Sequence, residues 1–210
     1  MGHGKAVKKE SKELQLRDAV CLASGGLDST VCLALLLRSG IRPLPLFINY
    51  GQINANKEYA SLQASCEKLD LGPPLTIDLR GYGTAIKSGL TEPTLDIVGD
   101  AFTPCRNLLF IVMAAAVANQ NGITKIVLGL LTEATMLFPD QSDRFLLSAT
   151  RAVSDALGVE MEIVVPLREF HKADVVRLAG ELNVKNHYSC HAGTTPPCGV
   201  CIACKEYEGV

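Results

Sequence analysis

Tryptophan is absent from this 210-residue chain, aromatic residues make up 5% of it, and 20 Lys+Arg against 22 Asp+Glu leave a formal net charge of −2. Each shortage excludes something. Phosphate-backbone binding rests on clustered lysine and arginine, so with no long basic block no nucleic-acid partner is expected and a small molecule is the better substrate class. No apolar run reaches bilayer length; the longest, near residues 108–118, is too short, and the polar N-terminus lacks a signal-peptide core. A cytoplasmic protein with no membrane partner is the expectation. Met1-Gly2 could open an acylation site, but Ala6 stands where that pattern needs Ser or Thr.

What is present suits one domain plus a small appendage: 48% of residues are hydrophobic and 20% charged, enough length and apolar content to bury a substantial core. Residues 1–18 have no clear apolar face and read as a flexible N-terminal arm. Residues 19–185 form the main domain and 186–210 a cysteine-rich end.

The main domain is organised around Ser24-Gly25-Gly26-Leu27-Asp28-Ser29-Thr30. An apolar run of strand length, 19–23, precedes it and an apolar run of helical length, 31–38, follows it, which predicts a strand-to-helix turn. Glycines there let backbone N–H groups approach an anion, the helix start adds free donors and a positive dipole end, and Ser24, Ser29 and Thr30 offer hydroxyls. Asp28 either caps the helix or meets phosphates through Mg²⁺. The stretch is not a Walker A loop, which needs a lysine before its Ser/Thr.

Further strands are predicted at 42–50, 75–79, 126–129 and 162–166, with helices over 55–69, 108–119, 144–157 and from Lys172. Alternation of this kind predicts a doubly wound, five-stranded parallel sheet. Tyr50, Gly51 and Gln52 close the second strand on the side where ligands sit in open sheets. Residues 80–103 lose periodicity, and a loop of that length inside a compact domain is usually functional; a lid over a nucleotide is one such use. Arg106 and Asn107 lie near a helix start, where a cation costs stability unless an anion arrives. The loop at 130–143 holds Glu133, Phe138, Pro139, Asp140 and Gln141.

The eight cysteines divide unevenly. Cys21, Cys32, Cys66 and Cys105 are scattered and read as small buried hydrophobes. Cys190, Cys198, Cys201 and Cys204 have the spacing of a closed four-cysteine site, structural Zn²⁺ in a small knuckle, with an iron–sulfur cluster as the alternative metal reading. His187 and His191 flank it and read as surface residues or substitute ligands.

The 24–30 loop resembles the SGGxDS loop of the PP-loop ATP pyrophosphatases, which have the adenine nucleotide alpha hydrolase-like fold. Tyr50-Gly51-Gln52, Arg106-Asn107, Phe138-Pro139-Asp140 and the Ser189-Cys190…Cys198-Gly199-x-Cys201-x2-Cys204 ending extend the likeness, from the first strand to the last cysteine, to the 7-cyano-7-deazaguanine synthase (QueC) family. The resemblance implies an ATP-dependent carbon–nitrogen ligase. It adenylates 7-carboxy-7-deazaguanine, releases pyrophosphate, forms an amide with ammonia and dehydrates that amide to the nitrile. It further implies ATP with Mg²⁺ held by Leu22, Ala23, Ser24, Gly25, Gly26, Leu27, Asp28, Ser29 and Thr30, and catalytic roles for Asp28, Ser29 and Arg106. Substrate would meet Tyr50, Gln52, Arg106, Asn107, Phe138, Asp140 and Lys172, Zn²⁺ would take the four terminal cysteines, and a homodimer is expected. Cys105 replaces the family's glycine before Arg-Asn, Gln141 replaces a cysteine after Pro-Asp, and His191 replaces a tyrosine. Those departures leave open a relative that stops at an amide or joins the deazaguanine acid to another amine, a protein amine included, as in antiphage defence. A zinc-containing nucleotide-binding module without catalysis is the third reading.

Overall fold

The structure is a computed structural model and describes residues 17–210. Of the expected arm, residues 1–16 lie outside the described residues; the Arg17 guanidinium donates to the carbonyls of Pro43 and Leu71, at 2.7 Å each.

Five strands, β1 (Ala19–Leu22), β2 (Pro43–Asn49), β3 (Leu75–Asp78), β4 (Lys125–Val127) and β5 (Glu162–Val164), form one sheet in the order β3-β2-β1-β4-β5. Every pairing is parallel. The chain moves outward from β1 in one direction, then returns to build β4 and β5 on the other side, so a crevice opens at the carboxyl ends of β1 and β4. Between the strands run α1 (Leu27–Arg38), α2 (Ala55–Lys68), α3 (Arg80–Ala85), α4 (Arg106–Gln120), α5 (Asp143–Leu157) and α6 (Lys172–Glu181), with α7 (Ile202–Lys205) near the end.

Side chains alternate across a strand, and β1 shows what that does here. Ala19 and Cys21 join a core with Val31, Leu33 and Leu62 of α1 and α2 and Val175 of α6. Val20 joins a second core with Ile111 and Ala115 of α4 and Leu146 and Val153 of α5. Helices therefore cover both faces of the sheet, and the central strand must be apolar throughout. Val20, Leu33, Leu62, Ile111 and Ile126 are fully buried, and each such side chain contributes about 1.5–3 kcal/mol.

Three local readings change. Helix α1 begins at Leu27 rather than four residues later, so Asp28 and Ser29 belong to its first turn. Cys105 is exposed rather than buried. Residues 80–103 are not structureless: part of the stretch packs to form a wall of the cleft. Helix α3 opens the stretch, the Gly83 N–H donates to the Tyr50 carbonyl at 3.0 Å, and Ser88, Leu90, Ala101 and Thr103 are buried. Periodicity misses such a segment because its burial comes from turns rather than from a repeating face.

Candidate active site

The crevice at the sheet's switch point is a cleft of about 340 Å³. Its floor starts where β1 ends. Gly26 is the helix N-cap, with no side-chain cap bond, so Asp28 does not cap α1. The first turn leaves N–H groups without helical acceptors, and these form the positive end of the helix dipole. Ser24 Oγ lies 3.4 Å from Ser29 Oγ, which also donates to the Gly26 carbonyl. Thr30 Oγ1 donates back to that carbonyl at 2.8 Å and is 2% exposed, so its hydroxyl serves the helix rather than a ligand.

Gly25 has φ +86°, and a Cβ there would stand 2.2 Å from the Glu58 carbonyl. Its role is close approach to α2; it does not line the cleft. Leu22, Ala23, Ser24, Gly26, Leu27, Asp28 and Ser29 do. From the other side, Gly129 presses against the same turn, since a Cβ on it would lie 3.1 Å from Ser29 N.

Asp28 meets Lys172, whose Nζ lies 2.8 Å from each carboxylate oxygen. Glu206, just past α7, holds that ammonium from another direction at 2.7 Å. The Lys172 side chain is 11% exposed; burial works against its charge, while Asp28 and then Glu206 raise its pKa above the ordinary value. Lys172 is thus the centre of a largely buried ion-pair set beside the Ser24–Ser29 turn.

Arg106 and Asn107 open α4 in the same cleft. The Arg106 guanidinium lies 5.7 Å from the Tyr50 ring centroid and 3.4 Å from its hydroxyl. Burial disfavours its charge, but Tyr50, Asp140 and Glu58 hold the pKa above the ordinary value. Phe138 lines the cleft and packs its ring 5.2 Å from Phe102. Asp140 does not line it: its carbonyl accepts from Asn107 Nδ2 at 3.0 Å and its carboxylate from Asn107 N–H. That residue positions the α4 start instead of meeting a ligand. Gln141 Oε1 stitches the loop by accepting from the N–H groups of Leu137 and Phe138.

Sequence reading passed over Glu58, which lines the cleft from the first turn of α2. A charge in a first helical turn reads as solvated; its one signal was a place six residues after Gln52. Gln52 Nε2 donates to one of its carboxylate oxygens at 3.0 Å and Asn54 Nδ2 to the other at 3.1 Å. Burial pushes this carboxyl up to about 7 despite those two bonds. His191 also lines the cleft, so it is no surface residue.

The four terminal sulfurs, Cys190, Cys198, Cys201 and Cys204, lie within 4.8 Å of one another, and the Cys198 and Cys204 sulfurs are 3.9 Å apart. Four bonds of about 2.3 Å to one tetrahedral ion give sulfur–sulfur edges of about 3.8 Å. Backbone N–H groups of Cys198, Cys201 and His191 donate to the sulfurs of Cys190, Cys198 and Cys201 at 3.3–3.4 Å, as thiolates require. The donor set fits one metal ion. This segment is tied to the cleft, because the Tyr188 N–H donates to the Gly25 carbonyl at 2.9 Å and Asn54 Nδ2 donates to the Cys190 carbonyl at 3.1 Å.

A parallel sheet with this order, a glycine-serine turn after its first strand and a cleft at the switch point define the PP-loop, adenine nucleotide alpha hydrolase-like fold. Solved structures share it: a U34-tRNA thiolase NcsA from Methanococcus maripaludis with its [4Fe-4S] cluster superposes with a TM-score of 0.57 at 17% identity, covering 82% of this chain and 59% of that one. A 4-thiouridine synthetase–RNA complex with bound ATP gives 0.56 at 20% identity, covering 79% and 40%. Within that fold, residues 18–208 match the family described as "Queuosine biosynthesis protein QueC", and the chain belongs to that family. Proteins named 7-cyano-7-deazaguanine synthase from Chlorobaculum tepidum (31% identical, 89% of this chain and 88% of that one) and Sulfurimonas denitrificans (30%, 91% and 91%) are similar over nearly their whole lengths.

Proposed function

We propose that this chain is an ATP-dependent, AMP-forming ligase that activates the carboxylate of 7-carboxy-7-deazaguanine. The observation that carries the reading is the meeting of three groups in one cleft: the Ser24–Ser29 anion cradle, the Asp28–Lys172 pair and the Arg106 guanidinium. A carboxylate oxygen attacks the α-phosphate of ATP and pyrophosphate leaves. The cradle's N–H groups, Ser24, Ser29 and the Lys172 ammonium face the charge that grows on the leaving group, in a partly desolvated site where such donors count most. Arg106 orients the substrate carboxylate. Mg²⁺, held through Asp28, would spread the phosphate charge. Ammonia then attacks the acyl carbon and AMP leaves, giving the amide; the amide oxygen attacks the α-phosphate of a second ATP with loss of pyrophosphate, and loss of AMP with two protons gives the nitrile. Zn²⁺ at Cys190, Cys198, Cys201 and Cys204 has a structural role, since four sulfurs leave no open position.

Two observations favour a second reading in which the product stays an amide, with ammonia or with another amine. Gln141 closes the Phe138 loop on itself and His191 lines the cleft, where the family's pattern has cysteine and tyrosine. Pyrophosphate release with 7-carboxy-7-deazaguanine, ATP and Mg²⁺ tests adenylation, and product mass then separates nitrile from amide or from a mass increment on a protein. Asp28→Asn should lower the release rate by at least about 100-fold; because it leaves the Lys172 ammonium with Glu206 as its carboxylate partner, it should also lower the melting temperature, and circular dichroism below that temperature checks that the fold survives. No turnover of this acid under any amine supply would sink both readings.

A further inference from the structure

Glu58 is a half-buried charged group of the cleft that activation chemistry does not use. Its two carboxylate oxygens are each taken once, by the amides of Gln52 and Asn54. Both amides are themselves fixed: Gln52 accepts from the Tyr50 N–H at 2.9 Å and donates to the Ile48 carbonyl, and Asn54 donates to the Cys190 carbonyl. A carboxylate has about four lone-pair sites, so each oxygen of this one keeps acceptor capacity, and its placement is set by β2, α2 and the cysteine segment together. Holding it there raises its pKa through burial, a cost that a ligand with matching donors offsets. Two features describe such a ligand. Arg106 is close enough to act on Glu58 electrostatically, which disfavours a second cation and favours a neutral N–H donor. Leu90, Ala101 and Phe110 supply apolar walls in the same cleft, and His191 carries a buried Nδ1 with no partner among the described residues.

We propose that Glu58 is the specificity residue for the heterocycle, its carboxylate accepting in parallel from a ring N–H and the adjacent exocyclic amine of a 2-aminopyrimidin-4-one edge. The assignment rests on the substrate class proposed above and adds which group reads it. Two charge-assisted bonds select for the 2-amino group because an analogue without it leaves the carboxylate half-paired in a buried site.

Calorimetry without ATP compares 7-carboxy-7-deazaguanine with the same acid lacking its 2-amino group. Wild type should bind the amino compound about 100-fold more tightly. Glu58→Gln keeps the shape, loses the charge and replaces one acceptor by a donor; it should lower that preference to within about threefold while the deamino compound binds nearly as before. Equal wild-type affinities would overturn the assignment without any variant. So would a Glu58→Gln protein with full discrimination, or one in which acid affinity is unchanged and only the KM for ammonia rises, which moves Glu58 to the amine. If wild type binds neither acid, the proposed substrate falls and this assignment falls with it.

Discussion

Cys105 shows how one residue bends a family rule. Its φ is +60°, in the left-handed region, which costs a non-glycine residue about 1–2 kcal/mol. Glycine, which the family pattern has before Arg-Asn, is at home there. Cys105→Gly should therefore raise stability by about 0.5–1 kcal/mol, the relief being partly cancelled by glycine's freer unfolded chain, and a urea midpoint measures it. Glu58 gives a second residue-level expectation. Its carboxyl rises from an ordinary 4.5 to about 7 in the folded chain. The native state then keeps a proton that the unfolded chain has released, so this contribution is whole below pH 4.5 and is lost as pH rises through about 7. Melting at about pH 5 and pH 8 should show wild type losing up to about 2.5 kcal/mol more than Glu58→Gln, which cannot ionise. A parallel pair of curves would mean that Glu58 is ionised throughout.

At the scale of elements, legibility followed locality. The β1–turn–α1 unit and the cysteine segment could be read because their signals lie within a few neighbouring residues: an apolar run, Gly25-Gly26, and a Cys-x2-Cys-x2-Cys core. The wall formed by residues 80–103 could not, since Leu90 and Ala101 are buried by what packs on them rather than by a pattern in their own stretch. The role of Asp140 is hidden from the sequence for a related reason: its neighbour Phe138 faces the cleft while Asp140 turns to Asn107. The cysteine segment carries its own test. Elemental analysis is expected to return one zinc per chain, and Cys201→Ser, which removes a fully buried ligand, should lower Tm markedly because the metal's binding energy is folding energy. Iron with acid-labile sulfide in place of zinc would assign a cluster instead.

For the whole molecule, fold and charge point to different partners. The two fold neighbours act on or bind RNA by their descriptions, yet likeness of fold does not carry function, and a formal net charge of −2 gives a tRNA backbone little to hold. Filter binding in about 0.15 M salt should retain no tRNA at micromolar protein; retention that weakens steeply with salt would show a basic surface that net charge conceals. The doubly wound parallel sheet was implied by alternation alone, but its strand order and the bond between Gly25 and Tyr188 were not, because both depend on contacts between segments far apart in sequence.

That coupling has a consequence in time. The ribosome makes the turn at Gly25 well before the residue that braces it, Tyr188. At about 5–20 residues per second, the turn waits on the order of 10 s for its partner. A chain halted before the cysteine segment emerges would carry the whole sheet while the Gly25 carbonyl still lacks its Tyr188 donor, so the turn after β1 is braced only once that later segment has been translated.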